Sequence, residues 1–117
     1  MIEKTQNKSD KNFKTESPVA KPSSNSAKIF SGHAQISSEY LYLNLKPIVK
    51  KTGGAYLLGS SIELMDKILL VSVIVTRSSP SPTATISYDI NGKIYKESIS
   101  DIAIGSTTIC NKKFHFK

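Results

Sequence analysis

A chain of 117 residues with 38% hydrophobic residues has room for one domain with a modest core, and none for a second. Its formal net charge of +7 suits an anionic partner or simple solubility. Arg77 is the single arginine among sixteen basic residues, which counts against the bidentate phosphate and base-edge contacts of sequence-specific nucleic-acid readers. One cysteine, Cys110, rules out an intrachain disulfide and a cysteine-based zinc site, and no apolar run approaches a transmembrane helix in length. The N-terminus lacks the basic, apolar, small-residue pattern of a secretory signal. A soluble chain is expected, cytoplasmic by default, or a piece cut from something larger.

Residues 1–31 read as a disordered basic tail and 32–117 as a β-domain. The first 30 residues hold six lysines against three acids (Glu3, Asp10, Glu16), and so little apolar surface that ordering them would cost backbone entropy without compensation. Asn7-Lys8-Ser9 and Ser17-Pro18 match glycosylation and phosphorylation patterns, each of a kind that arises by chance.

From Ile29 the pattern turns to period two. Tyr40, Tyr42 and Asn44 alternate with Leu41, Leu43 and Leu45, and Pro47 forbids a long helix. A short helix capped by Ser37 or Ser38 competes with a strand here. Thr52-Gly53-Gly54 predicts a turn into a strand over 55–58, broken by Gly59-Ser60-Ser61; residues 62–65 are ambiguous. Residues 68–76 are apolar on both faces, as for a strand in the middle of a packed structure. A Ser/Pro loop runs to Pro82, and Ala84, Ile86, Tyr88 and Ile90 then alternate with polar residues.

Asn91-Gly92 follows at once, a type I′ hairpin signal because both central residues need positive φ. A two-residue loop pairs Tyr88 with Tyr95 and Ala84 with Ile99. It also sets Glu97 opposite Ile86 on the apolar face, which calls for a bulge or an edge position. Thr107–Lys117 reads as one strand, or as two turning at Asn111-Lys112. Six to eight short strands separated by turns predict a small antiparallel β-sandwich or, alternatively, a small barrel of the OB type.

The residues that could carry chemistry are few. Lys51-Thr52-Gly53 matches a triplet of penicillin-recognising enzymes, but the Ser-x-x-Lys nucleophile they require is absent. His33 and His115 have no ligand spacing, and His115, between Phe114 and Phe116, is expected to face solvent on an edge strand. Cys110 is expected to be a small filler at a strand end or turn. No paired carboxylates and no phosphate-cradling glycine motif stand out. No catalytic residue, cofactor or metal is therefore expected. For single-stranded nucleic acid, the candidate contacts are Tyr40, Tyr42, Lys50, Lys51, Tyr56, Arg77, Lys93, Tyr95 and Lys96, aromatics with basic residues near them.

Residues 71–116 contain Val-Ser-Val-Ile-Val, then a Ser/Pro loop, then Thr-Ala-Thr-Ile-Ser-Tyr-Asp-Ile-Asn-Gly-Lys, and finally Ser-Ile-Ser-Asp-Ile-Ala-Ile-Gly-Ser-Thr-Thr. This order resembles immunoglobulin-like β-sandwich modules of the bacterial cell-adhesion-related type, without a cysteine pair or core tryptophan. Leu57-Leu58-Gly59, Val71–Val75, Ala84-Thr85-Ile86, Lys93-Ile94-Tyr95 and Asp101–Phe116 also look like the small periplasmic β-domain of type II secretion and type IV pilus assembly proteins. Both resemblances imply binding rather than catalysis. The expected function is a non-enzymatic interaction or assembly module that binds another protein, or itself, through a sheet edge or loops. The alternative is an OB-like protein binding single-stranded nucleic acid.

Overall fold

A computed structural model describes residues 9–49 and 51–117. In chain order the elements are β1 (Ser9–Asn12), β2 (Asn25–Gly32), β3 (Ala34–Leu43), β4 (Lys46–Ile48), β5 (Lys51–Thr52), β6 (Ala55–Gly59), α1 (Ser61–Leu64), β7 (Ile68–Arg77), β8 (Thr85–Ile90), β9 (Lys93–Ser98) and β10 (Thr107–His115). They form two five-stranded sheets, β1-β10-β7-β3-β4 and β5-β6-β2-β8-β9. Every pairing is antiparallel except that of β1 with β10.

The two inner faces share one core. Leu41, Leu69, Val71, Val73, Val75, Cys110 and Phe114 come from the first sheet, and Ala27, Tyr56, Leu58, Ile86, Tyr88 and Ile90 from the second. The Phe114 ring bridges the layers, edge-on to Tyr88 at 5.8 Å and to Tyr95 at 5.2 Å. Each fully buried aliphatic side chain stabilises the fold by about 1.5–3 kcal/mol relative to exposure. This is a sandwich. The barrel alternative is corrected, because among the described residues no ladder joins the sheets and each keeps two edge strands.

The Asn91-Gly92 hairpin forms as its residues dictate. Asn91 has φ 56° and Gly92 φ 91°, Tyr88 pairs with Tyr95, Ile86 pairs with Glu97, and the Ile99 amide donates to the Ala84 carbonyl at 2.9 Å. The register runs past Glu97 without a bulge, on edge strand β9. Asn91 also ties the turn to β2: its Oδ1 accepts from the Ser26 amide at 2.8 Å, and its Nδ2 donates to Asn25 Oδ1 at 2.7 Å.

Several expectations change. The tail expected over residues 1–31 contains β1 and β2, and β2 is the middle strand of the second sheet, paired with both β6 and β8. The expected boundary at residue 32 thus falls at the end of a central strand, while residues 1–8 lie outside the described residues. Composition concealed β2 because it is held by main-chain ladders on both sides and buries only Asn25 and Ala27 fully. Between these strands, Phe13 packs on the core, the Pro18 carbonyl accepts from the Lys117 amide, and the Pro22 carbonyl accepts from the Ser61 amide.

The Ser37/Ser38 helix is replaced by β3, which absorbs Ser37 as a register shift. Residues 107–115 form one strand that runs straight through Asn111-Lys112, and Cys110 sits buried in its middle rather than at its end. β10 is also no edge: β1 and then Glu16 pair on its far side, so His115 is partly exposed on an inner strand. The ambiguous stretch is α1, a single turn closed by a capping box. The Ser60 amide donates to Glu63 Oε1 at 2.8 Å, and the Glu63 amide donates to Ser60 Oγ at 3.4 Å.

Candidate functional site

The residues with chemical potential are kept apart. His33 sits in the β2–β3 turn with Nδ1 3.3 Å from Ser79 Oγ, near the Arg77 end of β7. His115 pairs with Ile68 at the opposite end and meets Asp66 Oδ1 at 2.6 Å. Cys110 lies between these ends in the core, and burial pushes its thiol up to about 11, away from the thiolate that nucleophilic attack needs. Among the described residues no group of three His, Cys, Asp or Glu side chains is placed to hold a metal ion. Lys51-Thr52 belongs to the short edge strand β5, followed by the Gly53-Gly54 turn. No helix among the described residues is long and apolar enough to cross a membrane.

The tyrosine and basic-residue set does not converge either. Tyr40 and Tyr42 lie on the outer face of β3, Tyr40 being 48% exposed. Tyr56 is buried between the sheets and donates its hydroxyl to Glu39 Oε1 at 3.0 Å; burial first, then that carboxylate, pushes its phenol up to about 12. Arg77 is spent on structure. Its guanidinium donates to the carbonyls of Ser100, Ile102 and Ser81 at 2.7–2.8 Å and so clamps two loops. Lys93, Tyr95 and Lys96 do share β9, with Lys93 Nζ 5.1 Å from the Tyr95 ring centre. Lys50 lies outside the described residues, and Lys51 is on β5, the opposite edge of the second sheet from β9.

What the structure does present is an open edge. β9 pairs with β8 on one side, and no strand among the described residues pairs on the other. In a two-residue hairpin the residues flanking the turn exchange hydrogen bonds, so Lys93, Tyr95 and Glu97 direct their main-chain groups to β8. Ile94, Lys96 and Ser98 therefore direct N–H and C=O away from the sheet. The same residues set their side chains on the outer face, Ile94 being 50% exposed.

This edge is braced from within. Lys112, whose side chain is wholly enclosed, donates to Glu97 Oε2 at 3.0 Å and to Glu16 Oε2 at 3.1 Å. A buried ammonium is tolerated only when paired in this way. The cluster fastens β9 to β10 of the opposite sheet and to the segment after β1. Sequence reading missed it, although its signal was present: with 107–115 taken as one strand, Lys112 falls in the inward series with Cys110 and Phe114, and Glu97 was already assigned to the apolar face.

Comparison of the chain with protein-family models, with curated proteins and with solved structures gives no match. The fold and the geometry of its edges are therefore what define the class: an all-β, two-sheet sandwich.

Proposed function

We propose that this protein is a non-enzymatic interaction or assembly module that binds another protein by accepting a strand at β9. The carrying observation is the open edge of β9, where three residues in alternation aim main-chain donors and acceptors outward. Such an edge supplies affinity through main-chain bonds, while alternate side chains supply selectivity. Lys93 and Lys96 on that strand discourage indiscriminate pairing and favour an incoming strand that carries carboxylates opposite them.

The Lys112 cluster supports the same reading, since an edge held rigid beforehand loses less entropy on binding. The likeness of residues 71–116 to immunoglobulin-like adhesion modules, and the second likeness to secretion-associated β-domains, both point to binding rather than chemistry. The oligonucleotide alternative is left with Lys93, Tyr95 and Lys96 as its contact set, and a salt titration with single-stranded oligonucleotide tests it.

The test of the edge reading is a substitution that blocks it without breaking the hairpin. Lys96→Pro removes an outward N–H, whereas Tyr95→Pro removes one used by β8. A specific partner captured by the wild-type chain is expected to be lost by the folded Lys96→Pro chain. Full retention of that partner counts against strand addition.

A further inference from the structure

β7 has two apolar faces, and the sandwich covers one. Leu69, Val71, Val73 and Val75 are fully enclosed, while Ile68, Leu70 and Ile74 alternate with them on the outer face, Ile68 being 41% exposed. On that face Leu70 lies in register between Lys113 of β10 and Tyr42 of β3. Two-sided apolarity marks a strand packed on both sides, and among the described residues no sheet covers the second side, where Ile68 is exposed and Leu70 and Ile74 are half-buried.

The neighbouring β3–β4 turn adds an independent observation. Its two residues, Asn44 and Leu45, have φ 51° and 72°. The left-handed region suits Gly, Asn or Asp, and a leucine there is strained. Leu45 is also 89% exposed, so burial in the core does not offset that strain. Asn44, Leu45, Ile68, Leu70 and Lys113 together line a recess of about 400 Å³. Neither Lys113 nor Lys46, next to the turn tip, has an ion-pair partner among the described residues.

We infer that this recess docks an acidic segment of a partner protein, which inserts one large apolar side chain and sets a neighbouring carboxylate on Lys113. Charge decides among the occupants. A second copy would bring another +7 chain, with its own unpaired Lys46 and Lys113, against the same face. An anionic lipid surface calls for clusters of about four to eight cations, and a recess is concave where a bilayer is flat. A single apolar side chain followed by a carboxylate meets both the aliphatic walls and the free ammonium. The recess lies on the first sheet and does not depend on strand addition at β9, an edge of the second.

The experiment is an amide NMR titration of the full chain with the capped peptide Asp-Glu-Phe-Asp-Glu. Asp-Glu-Ser-Asp-Glu and Lys-Lys-Phe-Lys-Lys are the controls. Shifts are expected at Leu45, Leu70 and Lys113, with affinity reduced about tenfold or more for Leu45→Asn and for Lys113→Glu, and for either control peptide. Asn is chosen at 45 because it accepts the left-handed turn, so the fold is kept. Absence of shifts, or shifts that neither variant diminishes, overturns the proposal. Shifts confined to β9 overturn it too, while leaving strand addition standing. It is likewise overturned by a dimer of the free chain that Leu45→Asn dissolves, or by binding to phosphatidylserine vesicles that depends on Leu45 without any peptide response.

Discussion

Lys112 on β10 and Glu97 on edge strand β9 meet at 3.0 Å across the space between the two sheets, the lysine wholly enclosed and the carboxylate 23% exposed. Glu16 completes the cluster from the N-terminal segment, and the Phe13 ring stands 6.0 Å from the ammonium. Three distant parts of the chain thus converge on one charge that water does not reach. The cost of stranding that charge governs how the cluster responds to mutation.

Glu97→Gln and Glu16→Gln are each expected to be tolerated better than the pair, because either remaining carboxylate still neutralises Lys112. The double variant leaves an uncompensated buried ammonium and is expected to lose about 3–5 kcal/mol. Urea denaturation of the two single variants and the double variant measures the coupling; strict additivity would show that the three groups do not act as a unit.

Gly59 is fixed by two constraints. Its φ is 114°, and a Cβ there would stand 2.7 Å from Glu63 Oε1, the oxygen that accepts from the Ser60 amide. Gly59→Ala is expected to destabilise by about 1–3 kcal/mol, with the steric part relieved in a Glu63→Ala background. A chemical-denaturation cycle over the two positions checks this.

Acid should weaken the molecule at two places. The Ser60 amide and hydroxyl hold the Glu63 carboxyl below its ordinary value of 4.5, and Lys11 holds that of Asp101 below 3.8. A depressed carboxyl contributes stability above its unfolded value and loses it as pH falls through the folded one. Stability is therefore expected to decline from about pH 4.5 downward, and less steeply in Lys11→Met and Ser60→Ala chains. Denaturation midpoints followed through that range give the comparison; unchanged slopes in both variants would contradict the assignment.

Leu45 offers a stabilising change. Leu45→Gly makes the β3–β4 turn Asn-Gly, suited to positive φ at both positions, and is expected to add about 1 kcal/mol. A thermal melt that fell instead would show that the leucine side chain at the turn contributes more than the strain costs.

The parts of this fold legible in the sequence are those where one local cause dominates. Asn91-Gly92 left a single turn type and therefore a register, so Tyr88 opposite Tyr95 followed without knowledge of the rest. Alternation did the same for β8 and for the inner face of β7. β2 was illegible because main-chain ladders hold it and its own side chains bury little, a contribution composition does not record. The Lys112 cluster needed three separate segments brought together, and the turn considered at Asn111-Lys112 would have pointed that lysine outward. Arg77 stood among the candidate nucleic-acid contacts by its type alone, whereas loop carbonyls claim it in the fold.

The most direct measurement is amide hydrogen exchange at Ile94, Lys96 and Ser98, in the free chain and in complex with the partner captured by the wild-type protein. Strand addition at β9 predicts that these three amides exchange readily when free and become strongly protected in the complex. Tyr95 and Glu97, already bonded to β8, should change little. Unaltered exchange at all three in a saturated complex would contradict binding at this edge.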